Sequence, residues 1–528
     1  MIAAVEAPVA LTSLGAHLPV LPILLPLLFG AVLLLVERRG IALQRTISWL
    51  GVATLTAVAA ALLLAADTGT ISLYLVGDWP ARLGIALVAD RTSALLVLTT
   101  TLLAGACLLY ACAGWDRRAI HFHALFQLQL TGLNGAFLTG DLFNLFVFFE
   151  VMLIASYGLL LSGGRGPRMR AGLHYVVLNI TASTLFLIAL GLLYGVLGSL
   201  NMAELALRTS QAGAADLALV RAASGILLVV FCTKAALVPL YLWLPNAYSR
   251  APAVVAALFA VMTKVGVYAV LRVYTLVFGD LAAGGEAAAL AGWAWEWLLP
   301  AGLLTLVLAT LGALASKSLR MLVAFLVIAS AATLFVAISL GTAAAISAGL
   351  YYLVHSTFVA GALFLVVDLI RRQRGAVGDN LDVAGPLRHN ALLGLLFGTA
   401  AISVSGMPPL SGFLGKVMLL DAVPADAVAW TWSVVLVTSL LTVVALARTA
   451  SQTFWRAQPW PQTTPLPAPP SRIQVAAAAL LLVYGIGMTV LGGPIMRYTD
   501  AAAAQLLAPA DYVRAAHGAT PQLREPSP

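Results

Sequence analysis

Charge is what this sequence lacks. Asp, Glu, Lys and Arg make up 9% of its 528 residues, where a soluble domain carries roughly 25%. Hydrophobic residues fill 61% instead. A chain this poor in charge cannot coat a soluble body of its size, which excludes an ordinary cytosolic enzyme, a disordered chain and a DNA-binding domain. The net charge of +8 hints at nucleic acid only until the bases are located, because most sit in short loops between apolar runs. Cysteine is equally scarce. Cys107, Cys112 and Cys232 lie inside apolar runs without CxxC spacing, so neither a disulfide framework nor a zinc site is expected. No Walker loop, dinucleotide glycine fingerprint, haem motif or nucleophile elbow stands in a credible context, and no cofactor is expected.

Long apolar runs are what the sequence has. A spanning helix needs about 20 mostly apolar residues. Fourteen runs qualify, near 18–36, 46–65, 92–112, 120–139, 142–161, 171–196, 219–243, 252–276, 297–314, 319–340, 343–370, 391–420, 427–447 and 474–496. Cytoplasmic loops are enriched in Lys and Arg. Alternate loops divide the bases into a set of eighteen and a set of seven, which places both termini on the outer side. No cleavable signal peptide is expected. Trp293, Trp295 and Trp297 read as interfacial anchors, and GLLYG at 191–195 as a small-residue packing face. Residues 457–471 read as a Pro-rich linker, and the tail after about 498 as polar and partly disordered.

Four bases remain outside both sets. Arg272 lies near a helix end, but Lys234, Lys264 and Lys416 lie inside apolar runs. The chain holds only four lysines against twenty-five arginines, so lysine is concentrated where charge is most costly. Arg stays charged at any accessible pH, whereas Lys gives up its proton when desolvated. Glu150 is the acidic counterpart, a carboxylate well inside a span, where such a group needs a partner or a wet cavity. His355 lies mid-span, and histidine shuttles protons near neutrality. Glu150, Lys234, Lys264, His355 and Lys416 are the expected elements of a lateral proton relay. Asp141 is expected as an interfacial cap and Asp368, beside Arg371 and Arg372, as a surface group. His174 and Asn179 are polar positions without an assigned role.

Two runs carry prolines close to an intramembrane lysine: Pro239, five residues after Lys234, and Pro408 with Pro409, just before Lys416. Proline removes an N–H and clashes with the preceding turn. The freed backbone survives in a membrane only where protein or water satisfies it, so these runs are expected as broken helices beside a transport site. They also correspond. Ile154-Ala-Ser156 recurs as Ile328-Ala-Ser330, the Ala171–Val177 segment as Ala348–Val354, and Pro239-Leu240 as Pro409-Leu410, at offsets of 174, 177 and 170. The matches pair three consecutive spans with three others five spans later. An odd interval reverses orientation, which predicts two inverted five-helix repeats. The expectation is an all-α polytopic membrane protein of about fourteen helices, with N-terminal helices over 1–118, repeats over 119–278 and 279–449, and a linker, last helix and polar tail over 450–528.

GDLFNLFVFFEVMLIASYGLL (140–160) resembles the signature of the D subunits of Mrp-type multisubunit sodium/proton antiporters. Residues 234–272 and GMPPLSGFLGK (406–416) resemble the seventh, eighth and twelfth helices of the same family, and GSLNMAEL (198–205) is shared more widely. The resemblance covers roughly 15–500. It implies a hetero-oligomeric bacterial inner-membrane complex that exchanges protons for sodium, with other subunits and membrane lipid as partners and no nucleic acid. It also implies a Glu150–Lys234 pair, with Lys264, His355 and Lys416 continuing the path. Family members often carry a second His after the first and a Lys five residues along; Ser356 and Ala360 stand there. The alternative within the same class is a proton-pumping membrane subunit of a respiratory NADH:quinone oxidoreductase or membrane hydrogenase.

Overall fold

The computed structural model describes residues 14–82, 84–164, 166–279, 281, 290–456 and 468–519. In chain order its helices are α1 (Leu21–Leu35), α2 (Ile41–Asp67), α3 (Arg91–Cys112), α4 (Phe122–Leu138), α5 (Leu142–Leu161), α6 (Gly166–Leu197), α7 (Met202–Ser210), α8 (Ala214–Ala235), α9 (Trp243–Arg250) and α10 (Ala253–Phe259). There follow α11 (Met262–Leu276), α12 (Trp293–Ala315), α13 (Leu319–Ser339), α14 (Ala343–Gln373), α15 (Asn390–Ser405), α16 (Ser411–Asp421), α17 (Val428–Ala450), α18 (Arg472–Val490), α19 (Gly492–Leu506) and α20 (Pro509–Gly518). Among the described residues, eleven helical segments are long and apolar enough to cross a membrane. Helix is the form these runs must take, because a bilayer offers no partner for a free N–H or C=O.

α14 is the axis of the molecule. It packs against α10, α13, α15, α16, α18 and α19, and an apolar window within it is wholly buried. The paired segment α10–α11 is buried likewise, whereas α17 presents most of its surface outward. Small residues permit the close approaches. A Cβ at Gly132 would meet the Met152 backbone nitrogen at 2.5 Å, and one at Gly266 the Ala235 nitrogen at 2.7 Å. By contrast, a Cβ at Gly191 or Gly195 would meet nothing within 4 Å, so the expected small-residue face packs on none of the described residues.

Several expectations are corrected. The fold is not purely helical: strands β1 (Ser72–Leu75) and β2 (Ala86–Ala89) form an antiparallel hairpin. The tail does not lose structure after 498, because α19 and α20 continue to Gly518 and α20 packs on α7. Their apolar residues recur at helical spacing with Ala between, too sparse to read as a span but enough for a packing face. Residues 457–467 of the linker and 520–528 of the tail lie outside the described residues. Trp297 is exposed, as an anchor would be, but Trp293 and Trp295 pack on Tyr274. Asp368 is not a surface group. It is 4% exposed and held by Arg371, Arg372 and the Tyr110 hydroxyl, because its helix is enclosed along that length.

Candidate functional site: a buried line of titratable side chains

Both runs that pair prolines with a lysine are broken, whereas α1 and α12 run unbroken through Pro26 and Pro300. α8 ends where Ala236 turns left-handed (φ 63°), and α15 ends where Gly406 does (φ 77°). The local bonding is the same at each stop. Leu237 N–H bonds the Cys232 carbonyl and Met407 N–H the Ile402 carbonyl, while Ala236 and Gly406 reach back to Thr233 and Ser403. This is the Schellman C-cap. Glycine is the usual residue there, since a Cβ disfavours positive φ; Ala236 accepts that strain. The Val238–Pro239 and Pro408–Pro409 bonds are both cis. Side chains take the carbonyls that the breaks release: Trp243 Nε1 donates to Thr233 O at 3.0 Å, and Lys416 Nζ to Ser405 O at 2.8 Å. A third interruption, at Ala260–Val261 between α10 and α11, has no proline to announce it.

Lys234 lies at the end of α8 and Lys264 at the start of α11, while Lys416 sits midway along α16, the helix that follows the second break. Lys234 is 5% exposed and Lys264 and His355 are 0%; Glu150 and Lys416 are half-buried. Glu150 accepts a short hydrogen bond from Ser183 Oγ on α6. Lys234 Nζ donates to the same Ser183 Oγ at 3.3 Å, and to Asn179 Oδ1 and O at 3.3 and 3.4 Å. Glu150 therefore acts on Lys234 across a shared hydroxyl, without a carboxylate oxygen in ion-pair range among the described residues. The expected pair is a bridged pair. Phe149 lies beneath the ammonium, 5.8 Å from Nζ to ring centre.

The remaining groups follow the same rule. Lys264 Nζ donates to Ser330 Oγ at 2.9 Å. His355 Nδ1 meets Ser411 Oγ at 2.9 Å, at the first residue of α16, while its Nε2 is buried without a partner among the described residues. Lys416 Nζ donates to Ser439 Oγ at 2.8 Å. His355 stands within electrostatic reach of both Lys264 and Lys416. A small cavity lined by Ser330, Thr333, Tyr352, Lys416 and Ser439 leaves about 20 Å³ for the centre of a water molecule, enough for one water. It joins the partner of Lys264 to Lys416 and its partner. The two positions that depart from the family pattern do not fill this gap: Ser356 bonds back to Leu353 O at 3.2 Å, and Ala360 is buried.

The serines are what a linear reading misses. Ser156 and Ser330 are visible in it only as a repeat match, and Ser183, Ser411 and Ser439 carry no signal of their own. Asn179 gains a role and His174 is exposed. Asp141 is the N-cap of α5, accepting from Asn144 N–H at 2.8 Å, as expected. Also unanticipated is a set of locked ion pairs elsewhere. Arg272 meets Asp90 at 2.5 Å, with both side chains under a tenth exposed, and Arg45 meets Asp116 at 2.6 Å. The contrast is chemical. A carboxylate beside an arginine fixes both charges. A serine hydroxyl both donates and accepts, so it solvates a lysine or imidazole in either protonation state.

Helices of membrane-spanning length, and two runs broken beside Lys234 and Lys416, mark a polytopic membrane protein. The chain belongs to the NADH:quinone oxidoreductase/Mrp antiporter transmembrane family, whose model matches residues 139–442. It is 41% identical to the D subunit of a probable K(+)/H(+) antiporter of Rhizobium meliloti, over 93% of this chain and 96% of that one. It is 35% identical to the D subunit of the Na(+)/H(+) antiporter of Bacillus subtilis, over 94% and 98%. Among solved structures it resembles a chain of the Mrp complex from a Dietzia species, with a TM-score of 0.85, 28% identity and coverage of 96% and 100%. A chain of respiratory complex I from Thermus thermophilus matches with a TM-score of 0.75, 25% identity and coverage of 93% and 99%.

Proposed function

We propose that this chain is the proton-translocating subunit of a multisubunit monovalent cation/proton antiporter in a bacterial inner membrane, assembled with other subunits and surrounded by lipid. The observation that carries the proposal is that Glu150, Lys234, Lys264, His355 and Lys416 each end on a serine hydroxyl, while Arg272, Arg45 and Arg320 are tied to carboxylates. Groups that must gain and lose a proton are solvated by neutral dipoles; groups that only hold the fold are paired. Lys234 exchanges protons with a half-channel at the first break, and Glu150 biases that exchange through Ser183. Lys264 passes charge along the axis to His355 and, through the Ser330 cavity, to Lys416 at the second break. Each change of charge alters the field at the next site, which couples the steps. Sodium is the proposed counter-ion. Relatives are named for sodium and for potassium, so replacing one ion by the other in the assay decides between them.

The proposed topology has fourteen crossings, both termini outside, and two inverted five-helix repeats over 119–278 and 279–449. The matching Schellman caps at Ala236 and Gly406, 170 residues apart, support that correspondence. Lys234→Ala and Glu150→Ala variants are expected to assemble yet lose pH-gradient-driven cation exchange in vesicles. Full exchange by either variant overturns the assigned roles. The likeness to the Thermus complex I chain supports a second reading, a redox-driven pump subunit. Copurification with flavin and iron–sulfur subunits would select it, and antiporter subunits the first.

A further inference from the structure

Six arginines gather away from the proposed relay. Arg118, Arg168, Arg250, Arg320, Arg371 and Arg372 line a single cavity of about 330 Å³. They arrive from five places: the turn after α3, the start of α6, the end of α9, the start of α13 and the end of α14. All lie in the loops that the charge alternation assigns to one membrane face. Loop charge of that kind orients a protein wherever it sits; it does not require convergence on one hollow.

The cavity carries an excess of positive charge. Asp368 is its one lining carboxylate among the described residues, and Arg371 and Arg372 already hold it at 2.8 and 2.7 Å. Arg320 is spoken for by Asp379 at 2.9 Å. Among the described residues no carboxylate lies within ion-pair distance of Arg118, Arg168 or Arg250. Arg168 makes do with the carbonyls of Arg250 and Ser162, each at 2.9 Å, and is repelled by Arg320 and Arg371. Three unneutralised guanidinium forks around one concave space call for an anion that accepts several hydrogen bonds at once. Phosphate has that geometry and that charge. A basic hollow between helix ends at a membrane face is where a phospholipid headgroup is met.

We propose that this cavity binds a phosphate-bearing anion, supplied by the headgroup of an acidic phospholipid or by free phosphate, and that Arg168 and Arg250 are its principal ligands. The site is independent of the proton relay. The test uses the intact purified complex in detergent and follows thermal unfolding with phosphatidylglycerol, phosphatidylcholine or inorganic phosphate added. A stabilising shift from phosphatidylglycerol alone supports the headgroup, and a shift from inorganic phosphate as well supports the free anion. Arg168→Gln and Arg250→Gln should weaken half-saturation by about tenfold each. Arg250 is exposed, so its replacement spares the fold. Arg39→Gln, an exposed base outside the cavity, should leave the response intact. No shift from either anion, or equal shifts in wild type and Arg250→Gln, overturns the proposal. A photo-cross-linker placed at Arg118 that captures an acidic segment of another subunit overturns it too, since protein would then fill the hollow.

Discussion

Replacing Ser183 by Ala removes one oxygen from the space between Glu150 and Lys234. That oxygen donates to the Glu150 carboxylate and accepts from Lys234 Nζ at 3.3 Å. Lys234 keeps Asn179 Oδ1 and O at 3.3 and 3.4 Å, so its ammonium stays partly solvated. Alanine favours helix, so α6 and assembly should survive. A hydrogen bond to a charged group contributes about 1.5–3 kcal/mol, and each 1.36 kcal/mol is about tenfold in rate. If the bridge is used in transport, exchange falls by roughly ten- to a hundredfold. Everted vesicles with a pH-sensitive dye measure this, scanned across pH. Ser183→Thr, which keeps a hydroxyl, should recover most of the activity. Combining Ser183→Ala with Glu150→Gln should cost little more than the worse single change, because both cut one connection. An unchanged rate and pH profile in Ser183→Ala would refute the bridge, and so would strict additivity with Glu150→Gln.

Other consequences are read in assembly and stability. A Cβ at Gly412 would lie 1.9 Å from Ser403 O and 2.9 Å from His355 Nε2, so Gly412→Ala should push the halves of the broken helix apart and lower the yield of assembled complex, whereas Gly398→Ala, with nothing within 4 Å, should be tolerated. Arg272→Gln strands Asp90 in the interior, where losing one partner of a buried pair costs about 3–5 kcal/mol; a melting temperature equal to wild type would contradict the buried assignment. At the turn after α3, burial alone would raise the Asp116 carboxyl, but hydrogen bonds from Arg45 and His123 outweigh it and hold it at about 2. Its folded value lies below the unfolded one of 3.8, so its contribution is complete above about pH 4 and is lost as pH falls towards 2. The stability difference between wild type and Asp116→Asn should therefore shrink across that window, and a constant difference would disprove the depressed value.

The spans are legible because the bilayer demands long apolar helices, and long apolar runs survive in a linear reading. Lys234, Lys264 and Lys416 stand out for a related reason: a charge inside such a run is costly, so its presence is informative. Pro239, Pro408 and Pro409 announce two breaks, since proline acts on its own backbone. The interruption at Ala260–Val261, made of ordinary apolar residues, announces nothing. The hairpin and the final two helices escape a linear reading because each is short and takes its stability from packing on neighbours rather than from local pattern.

By itself the sequence determined which residues would be costly to bury and marked the two helix breaks beside Pro239 and Pro408–Pro409, because both follow from local chemistry. Only the tertiary structure decided what each of those residues faces. That Ser183 stands between an acid and a lysine 84 positions apart in the chain, that Asp90 locks Arg272, and that six arginines from five places in the chain share one hollow are results of packing distant helices together. Serine is ordinary in a helix and arginine ordinary in a loop; their meaning here comes from their neighbours, and a neighbour in space leaves no mark on the residue that acquires it.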